Sequence, residues 1–204
     1  MGTRRGPGAG RAVVPLRERR YDLVFIAFFC LNLFFITYVV DIEQLTIPSL
    51  HHWHYPLWPP PALVRLIHWY GRRYDPLLMA RPAFWKMTIW IDVVFFGPFY
   101  AFAIYAFVRG REWIRVPAIF WAGMMSSNVL IILMEERFGV HRTPHFALVL
   151  GANLPWLLLP FAVVARMWLR PHPFTRALPS GTAAPVTATA AGEPAPAVPA
   201  PIPQ

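Results

Sequence analysis

The stretch from Lys86 to Val108, KMTIWIDVVFFGPFYAFAIYAFV, limits what this chain can become. A helix needs roughly 20 apolar residues to cross the hydrocarbon core of a bilayer, and this run has that length. It also holds an acid, Asp92, and a proline, Pro98. A carboxyl facing lipid at that depth is costly, so Asp92 is expected to face a protein interior or a cavity. The rest of the chain reads as the walls of a lipid-embedded pocket around it.

Three further runs support this. Leu23 to Val40, Val116 to Met134 and His145 to Trp168 are each long enough to span. With 56% hydrophobic and only 14% charged residues, and a mean hydropathy of +0.42, the class is an all-α membrane protein. The expected architecture is a four-transmembrane-helix bundle with an intramembrane ligand pocket. The net charge of +9 does not point to nucleic acid, because the arginines flank apolar runs instead of forming one face. Cys30 is the single cysteine, which excludes an internal disulfide and a cysteine-based metal site.

The expected organisation is a basic, disordered arm over 1–21, a membrane domain over 22–170 and a Pro/Ala-rich disordered tail over 171–204. The spans are placed at about 22–41, 86–108, 116–134 and 145–168. The first run is too long for a signal peptide and is read as an uncleaved helix. Twelve Lys and Arg flank one side of this arrangement and seven the other, which puts both termini in the cytoplasm.

The long connection after the first span is rich in Trp, Tyr, His and Pro, as suits a segment at the headgroup level. Within it, Ala62 to Tyr74 has helical spacing, with Leu63, Leu66, Ile67 and Tyr70 on one face, and Asp75-Pro76 ends it. It is expected to lie on the membrane surface or over a pocket mouth. His51, His52 and His54 read as interfacial histidines, and neither a metal nor another cofactor is expected. Glu43 reads as an ordinary interfacial charge. Two prolines in the fourth span, Pro155 and Pro160, are expected to kink it and free backbone carbonyls.

Depth carries the functional inference. At about 1.5 Å per residue, Asp92 and Asn128 lie roughly 9 Å, and Asn153 roughly 12 Å, into the membrane from the same side. Asp41 sits just above them, with Thr37 one helical turn earlier on the same face. Helix–helix hydrogen bonds account for the two asparagines but not for two carboxyls. Two carboxyls in one such cavity should not both ionise, so the pair is expected to share a proton and to attract a cation or a hydroxyl. A hydrophobic amine, a sterol, or a lipid undergoing proton transfer would fit. Trp90, Phe95, Phe96, Tyr100, Trp121 and Trp156 supply candidate walls, of which about a third should line the cavity.

Several stretches also carry a family resemblance. HWYGRRYDPLLMARPAFWKM (His68 to Met87), DVVFFGPFYAFAIYAFVRG (Asp92 to Gly110), WIRVPAIF (Trp113 to Phe120) and NLPWLLLPF (Asn153 to Phe161) resemble the EXPERA family. The likeness runs from Trp69 to Trp168 and is greatest to the sigma-2-receptor branch. The resemblance implies a four-helix membrane protein that binds sterols or amines, with endoplasmic-reticulum residence. It makes Asp41 the match of an amine-binding aspartate and Thr37 a match one turn before it. Asp92 falls where the branch has a glutamate, Trp121 where it has a tyrosine, Asn128 where it has a threonine and Phe96 where it has a glutamine. Asp75 belongs to the matching DPLL stretch. Asn153 and Trp156 resemble instead the emopamil-binding-protein branch, which moves a sterol double bond from the 8,9 to the 7,8 position. That branch pairs a histidine with a glutamate one turn apart, where this chain has Thr37 and Asp41, so binding is expected more than turnover.

The candidate ligand-binding residues are therefore Thr37, Asp41, Asp75, Asp92, Trp121, Asn128, Asn153 and Trp156, with no catalytic residue assigned. The expected partners are a sterol or cationic amphiphile, the lipid bilayer and a second copy of the chain, but not nucleic acid. A sterol isomerase and a non-catalytic membrane adaptor are the alternatives.

Overall fold

In a computed structural model, residues 10–47 and 54–178 are described. The expectations for His51 and His52, and those for 1–9 and 179–204, lie outside the described residues. Among the described residues four helices are long and apolar enough to cross a membrane: α1 (Asp22–Thr46), α4 (Ala83–Arg109), α5 (Glu112–Phe138) and α6 (Phe146–Trp168). Two shorter helices, α2 (Pro61–Tyr74) and α3 (Pro76–Ala80), lie between α1 and α4. The protein is thus an all-α, multi-pass membrane protein. Its spans extend a few residues past the apolar runs, because polar residues at helix ends sit outside the hydrophobic window while the backbone ladder continues.

Outward faces of the spans carry large exposed apolar side chains such as Phe34, Phe95, Phe102, Ile131, Leu158 and Phe161. In water these would be a liability, whereas against lipid tails they are the required surface. Inside, Phe25, Phe28 and Phe29 of α1 pack with Tyr100 and Phe107 of α4 and Trp121 of α5. Buried Ala103, Ala106, Ala118 and Ala122 keep the backbones close where the rings leave no room. A second apolar cluster, including Val39, Ile67, Leu77, Leu78, Trp85 and Ile89, joins the end of α1 to α2, α3 and the start of α4.

Two spans depart from α-helical winding. From Asn32 to Asp41, α1 is a π-helix, with Ile42 N donating to Thr37 O five residues back. From Asp92 to Phe96, α4 does the same, with Gly97 N donating to Asp92 O. Pro98 follows at once and lacks the N–H that an α-turn would need there, which gives the second wide turn a local cause. Pro155 and Pro160 lie inside α6, which runs as one helix through both.

Two expectations are corrected outside the spans. Of the arm expected to be disordered, 11–13 form strand β1 (Arg11–Val13) and 16–19 a 3-10 turn. Of the expected tail, 175–177 form strand β2 (Thr175–Ala177), and the two strands make a small sheet. By compactness the chain divides into a main unit, 12–176, and a small one containing residues 10–11 and 177–178. Within the main unit, Val14 N donates to Phe174 O at 2.9 Å. Within the small one, Leu178 N donates to Gly10 O at 2.8 Å.

What orders these segments in the main unit is a buried charge hub that composition could not show. Asp22, fully buried, pairs with Arg19 and with Arg166 of α6, whose Nε lies 3.0 Å from Asp22 Oδ1. Arg19 also donates to Val14 O at 2.8 Å and to Phe107 O at 3.1 Å, and Arg166 donates to Pro173 O at 2.6 Å. Both guanidinium groups lie over the Phe174 ring, 5.0 and 5.3 Å from its centroid. Charges removed from water survive only when paired and fully hydrogen-bonded, and these are.

Candidate ligand-binding site

The two π-helical turns aim one acid each at the same space. α1 brings Asp41 at the end of its wide stretch, and α4 brings Asp92 at the start of its own. Thr37 Oγ1 donates to Asp92 Oδ1 at 2.7 Å. The Asp41 and Asp92 carboxyls lie within hydrogen-bonding reach of each other. Asp41 is buried, and its Oδ2 meets no donor among the described residues. Two carboxylates in contact repel, so a proton or a cation must lie between them. Gly97 makes this approach feasible: a Cβ there would stand only 3.1 Å from Thr37 Cγ2.

The pair opens on a cavity of about 460 Å³, within the range of small-molecule sites. Its walls are mostly apolar, from Phe35, Ile36 and Val40 of α1, Trp85 and Ile89 of α4, and Met125, Val129 and Ile132 of α5. Asn128, Asn153, Trp156 and Asp75 line it as well. Asn153 Nδ2 donates to Val149 O at 2.9 Å, and Trp156 Nε1 donates to Asn32 Oδ1 at 2.7 Å. Asn32, which donates in turn to Phe28 O at 2.8 Å, fixes the indole in the wall and is a functional residue outside the sequence-based candidates. Its position in the first apolar run was the available signal.

Thr37 acts through Asp92 and is not itself in the wall. Trp121 is a correction: it is buried one layer back, stacked on Phe99 at 5.1 Å, with its ring edge-on to Phe96. Phe96 takes the wall position in front of it. Of the six aromatics considered, Phe96 and Trp156 line the cavity, Tyr100 and Trp121 are core, and Trp90 and Phe95 are exposed.

The helix α2 covers the cavity with Leu66, Ile67, Trp69 and Tyr70. Its fully buried stripe is Val64, Ile67, His68 and Gly71, so Leu63 and Leu66 are less buried than their spacing suggested. At its end Asp75 Oδ1 accepts from Leu78 N at 2.9 Å and caps α3. Burial pushes the Asp75 carboxyl above its ordinary value, against the pull of the Leu78 and Leu77 amides and of Glu136. The neighbouring Tyr70 phenol is pushed up to about 12, by burial first and then by the charges of Asp75 and Glu136.

Glu43 is the second correction. It is completely buried, with Arg81 Nη2 at 2.8 Å and His68 Nε2 at 2.7 Å from its Oε1. Gln44 donates to its other oxygen, and Trp85 Nε1 donates to Gln44 Oε1 at 3.1 Å. Arg81 also donates to Ile47 O, from a left-handed backbone at φ 50° that a non-glycine residue adopts only when held there. This network clamps the end of α1, α2 and the entry to α4 around the cavity. Glu43 looked interfacial because its partners lie far away in sequence.

The comparisons with known proteins agree with this architecture. The chain is 30% identical to sigma intracellular receptor 2 of Homo sapiens over 151 residues, covering 67% of this chain and 81% of that protein. It is 32% identical to the Macaca fascicularis protein of the same name over 151 residues, with the same coverage. The Xenopus tropicalis protein is 29% identical over 149 residues, covering 67% of this chain and 82% of its own. Residues 62–167, which hold α2 through nearly all of α6, match the model of EXPERA (EXPanded EBP superfamily), and the chain belongs to that family.

Proposed function

We propose that this protein binds a sterol or a hydrophobic amine inside the membrane, with the ligand's polar head on Asp41 and Asp92. The observation that carries this reading is the carboxyl pair, Asp41 buried and Asp92 half-buried, at the edge of a mostly apolar cavity, with Asp41 Oδ2 left without a donor among the described residues. An ammonium group between the carboxyls would satisfy that oxygen and relieve the repulsion. A sterol hydroxyl could donate there while the rings fill the apolar walls. By the excess of Lys and Arg, both ends of the span bundle are assigned to the cytoplasmic face, and kinship with the receptor branch suggests the endoplasmic reticulum.

A sterol double-bond isomerase is the second reading, favoured by Asn153 and Trp156 in the cavity wall. No histidine is among the lining residues, so the acids would have to supply both the proton donor and the base. One experiment separates the two. Purified wild type, Asp41→Asn and Asp92→Asn are tested for binding a radiolabelled hydrophobic amine with a sterol competitor, then incubated with an 8,9-unsaturated sterol. Binding that falls about tenfold or more in either variant, without conversion, is the expected result. Conversion dependent on either aspartate would make the protein an isomerase. Full binding by both variants would remove the acids from the site.

A further inference from the structure

The cavity has a second acidic end. Along α5 its wall is built by Met125, Asn128, Val129 and Ile132, which share one helical face. The next residue on that face is Glu136, fully buried, and neither carboxyl oxygen meets a hydrogen-bond donor among the described residues. Its carboxyl lies within reach of Asp75, which lines the cavity. Asp75 Oδ1 is occupied by the Leu78 amide, so the Asp75–Glu136 contact has acceptors to spare. The arginines nearby are engaged elsewhere: Arg81 on Glu43, and Arg137 over the Phe146 ring at 5.3 Å.

The two acidic ends are well separated. Phe96 packs edge-on to Trp121, with ring centroids 6.5 Å apart. Because α4 and α5 are consecutive spans running in opposite directions, Asp92, one turn before Phe96, is level with Met125. Glu136 is three turns further along α5, roughly 16 Å at 1.5 Å per residue. Between the two pairs the walls are mostly apolar, with Asn128 and Thr88 among the polar members.

We propose that Asp75 and Glu136 form a second cation subsite, so that the cavity takes a two-headed amphiphile with an apolar body and an amine at each end. The proposal rests on the reading of Asp41 and Asp92 as the seat of the first head. A second ammonium would supply the donors that Glu136 lacks and take the place of the proton that two touching carboxyls must otherwise hold, releasing it to solvent.

The test compares three probes on the purified full chain in detergent: dodecylamine, dodecane diamine, whose extended length matches the separation, and hexane diamine, which is too short. Reading each diamine's affinity relative to dodecylamine cancels partition into micelles. Wild type should bind dodecane diamine about tenfold tighter than dodecylamine and gain nothing from hexane diamine. Glu136→Gln, which keeps the shape, should reduce that advantage to about twofold or less while dodecylamine binds as before. If dodecylamine binds and depends on Asp41 but dodecane diamine has no advantage, or keeps it in Glu136→Gln, the second subsite is wrong and the first stands. If dodecylamine does not bind wild type at all, both readings fall. The spacer series on wild type decides the matter even if the variant fails to fold.

Discussion

Asp75 shows how one side chain can serve two masters at a cavity edge. One oxygen caps α3 through the Leu78 amide, and the carboxyl as a whole is buried against Glu136. Burial outweighs the amide, so the folded-state pKa lies above that of the unfolded chain. The folded protein therefore holds a proton that the unfolded chain releases near the ordinary aspartate value of about 3.9. The stability linked to this group is fully present below that value and is lost as pH rises through the raised one. Asp75→Asn keeps the cap and cannot titrate. Thermal unfolding followed upward from the ordinary aspartate value of about 3.9 should show wild type losing stability relative to the variant as pH rises. Parallel profiles would contradict the assignment. Asp75 was legible as a helix stop and as part of a family stretch, but its second partner was not. Glu136 lies in another span, and nothing local in MEERF distinguishes it from Glu135, which is only half-buried and pairs with His141 at 2.7 Å.

At the scale of elements, the cavity depends on how α2 and α3 are held over it. The clamp is Glu43 with Arg81 and His68, all buried. Removing the acid alone leaves two basic groups buried without it. Glu43→Ala should therefore cost about 3–5 kcal/mol, measured as loss of thermal or denaturant stability in detergent. The double change Glu43→Leu with Arg81→Met should recover much of that loss, since it removes the charges together. A single variant as stable as wild type would show that the clamp carries no weight. Hydropathy revealed the four spans because a span is a local property of a run. The face a span turns inward is harder to read. When a helix is apolar all round, periodicity does not fix its rotation, so nothing in α5 itself checks the family match that puts Trp121 at the site, and it lies behind Phe96. The π-helical turns compound this, since each shifts the register of the helix beyond it, and only Pro98 marks one of them in the sequence.

At the scale of the molecule, Asp22 ties the first span to the last. Arg19 reaches it from three residues before and Arg166 from the last turn of α6, with the segments before α1 and after α6 held by the same guanidinium groups. Asp22→Asn should leave the spans inserted but release these segments. Limited trypsin digestion should then cut within 12–20 and 166–176 about tenfold faster than in wild type. Equal rates would mean that Phe174 and the small sheet suffice. Such a hub is invisible to composition, which sees only a basic arm and a polar end, because the deciding acid is the first residue of an apolar run.

The hub also bears on biogenesis. A ribosome delivers α1 to the membrane long before α6 exists, so until the last span enters, Asp22 has only Arg19 for company. The cavity waits on the same event, since Asn153 and Trp156 come from α6. The final insertion thus completes the anchor and the pocket together.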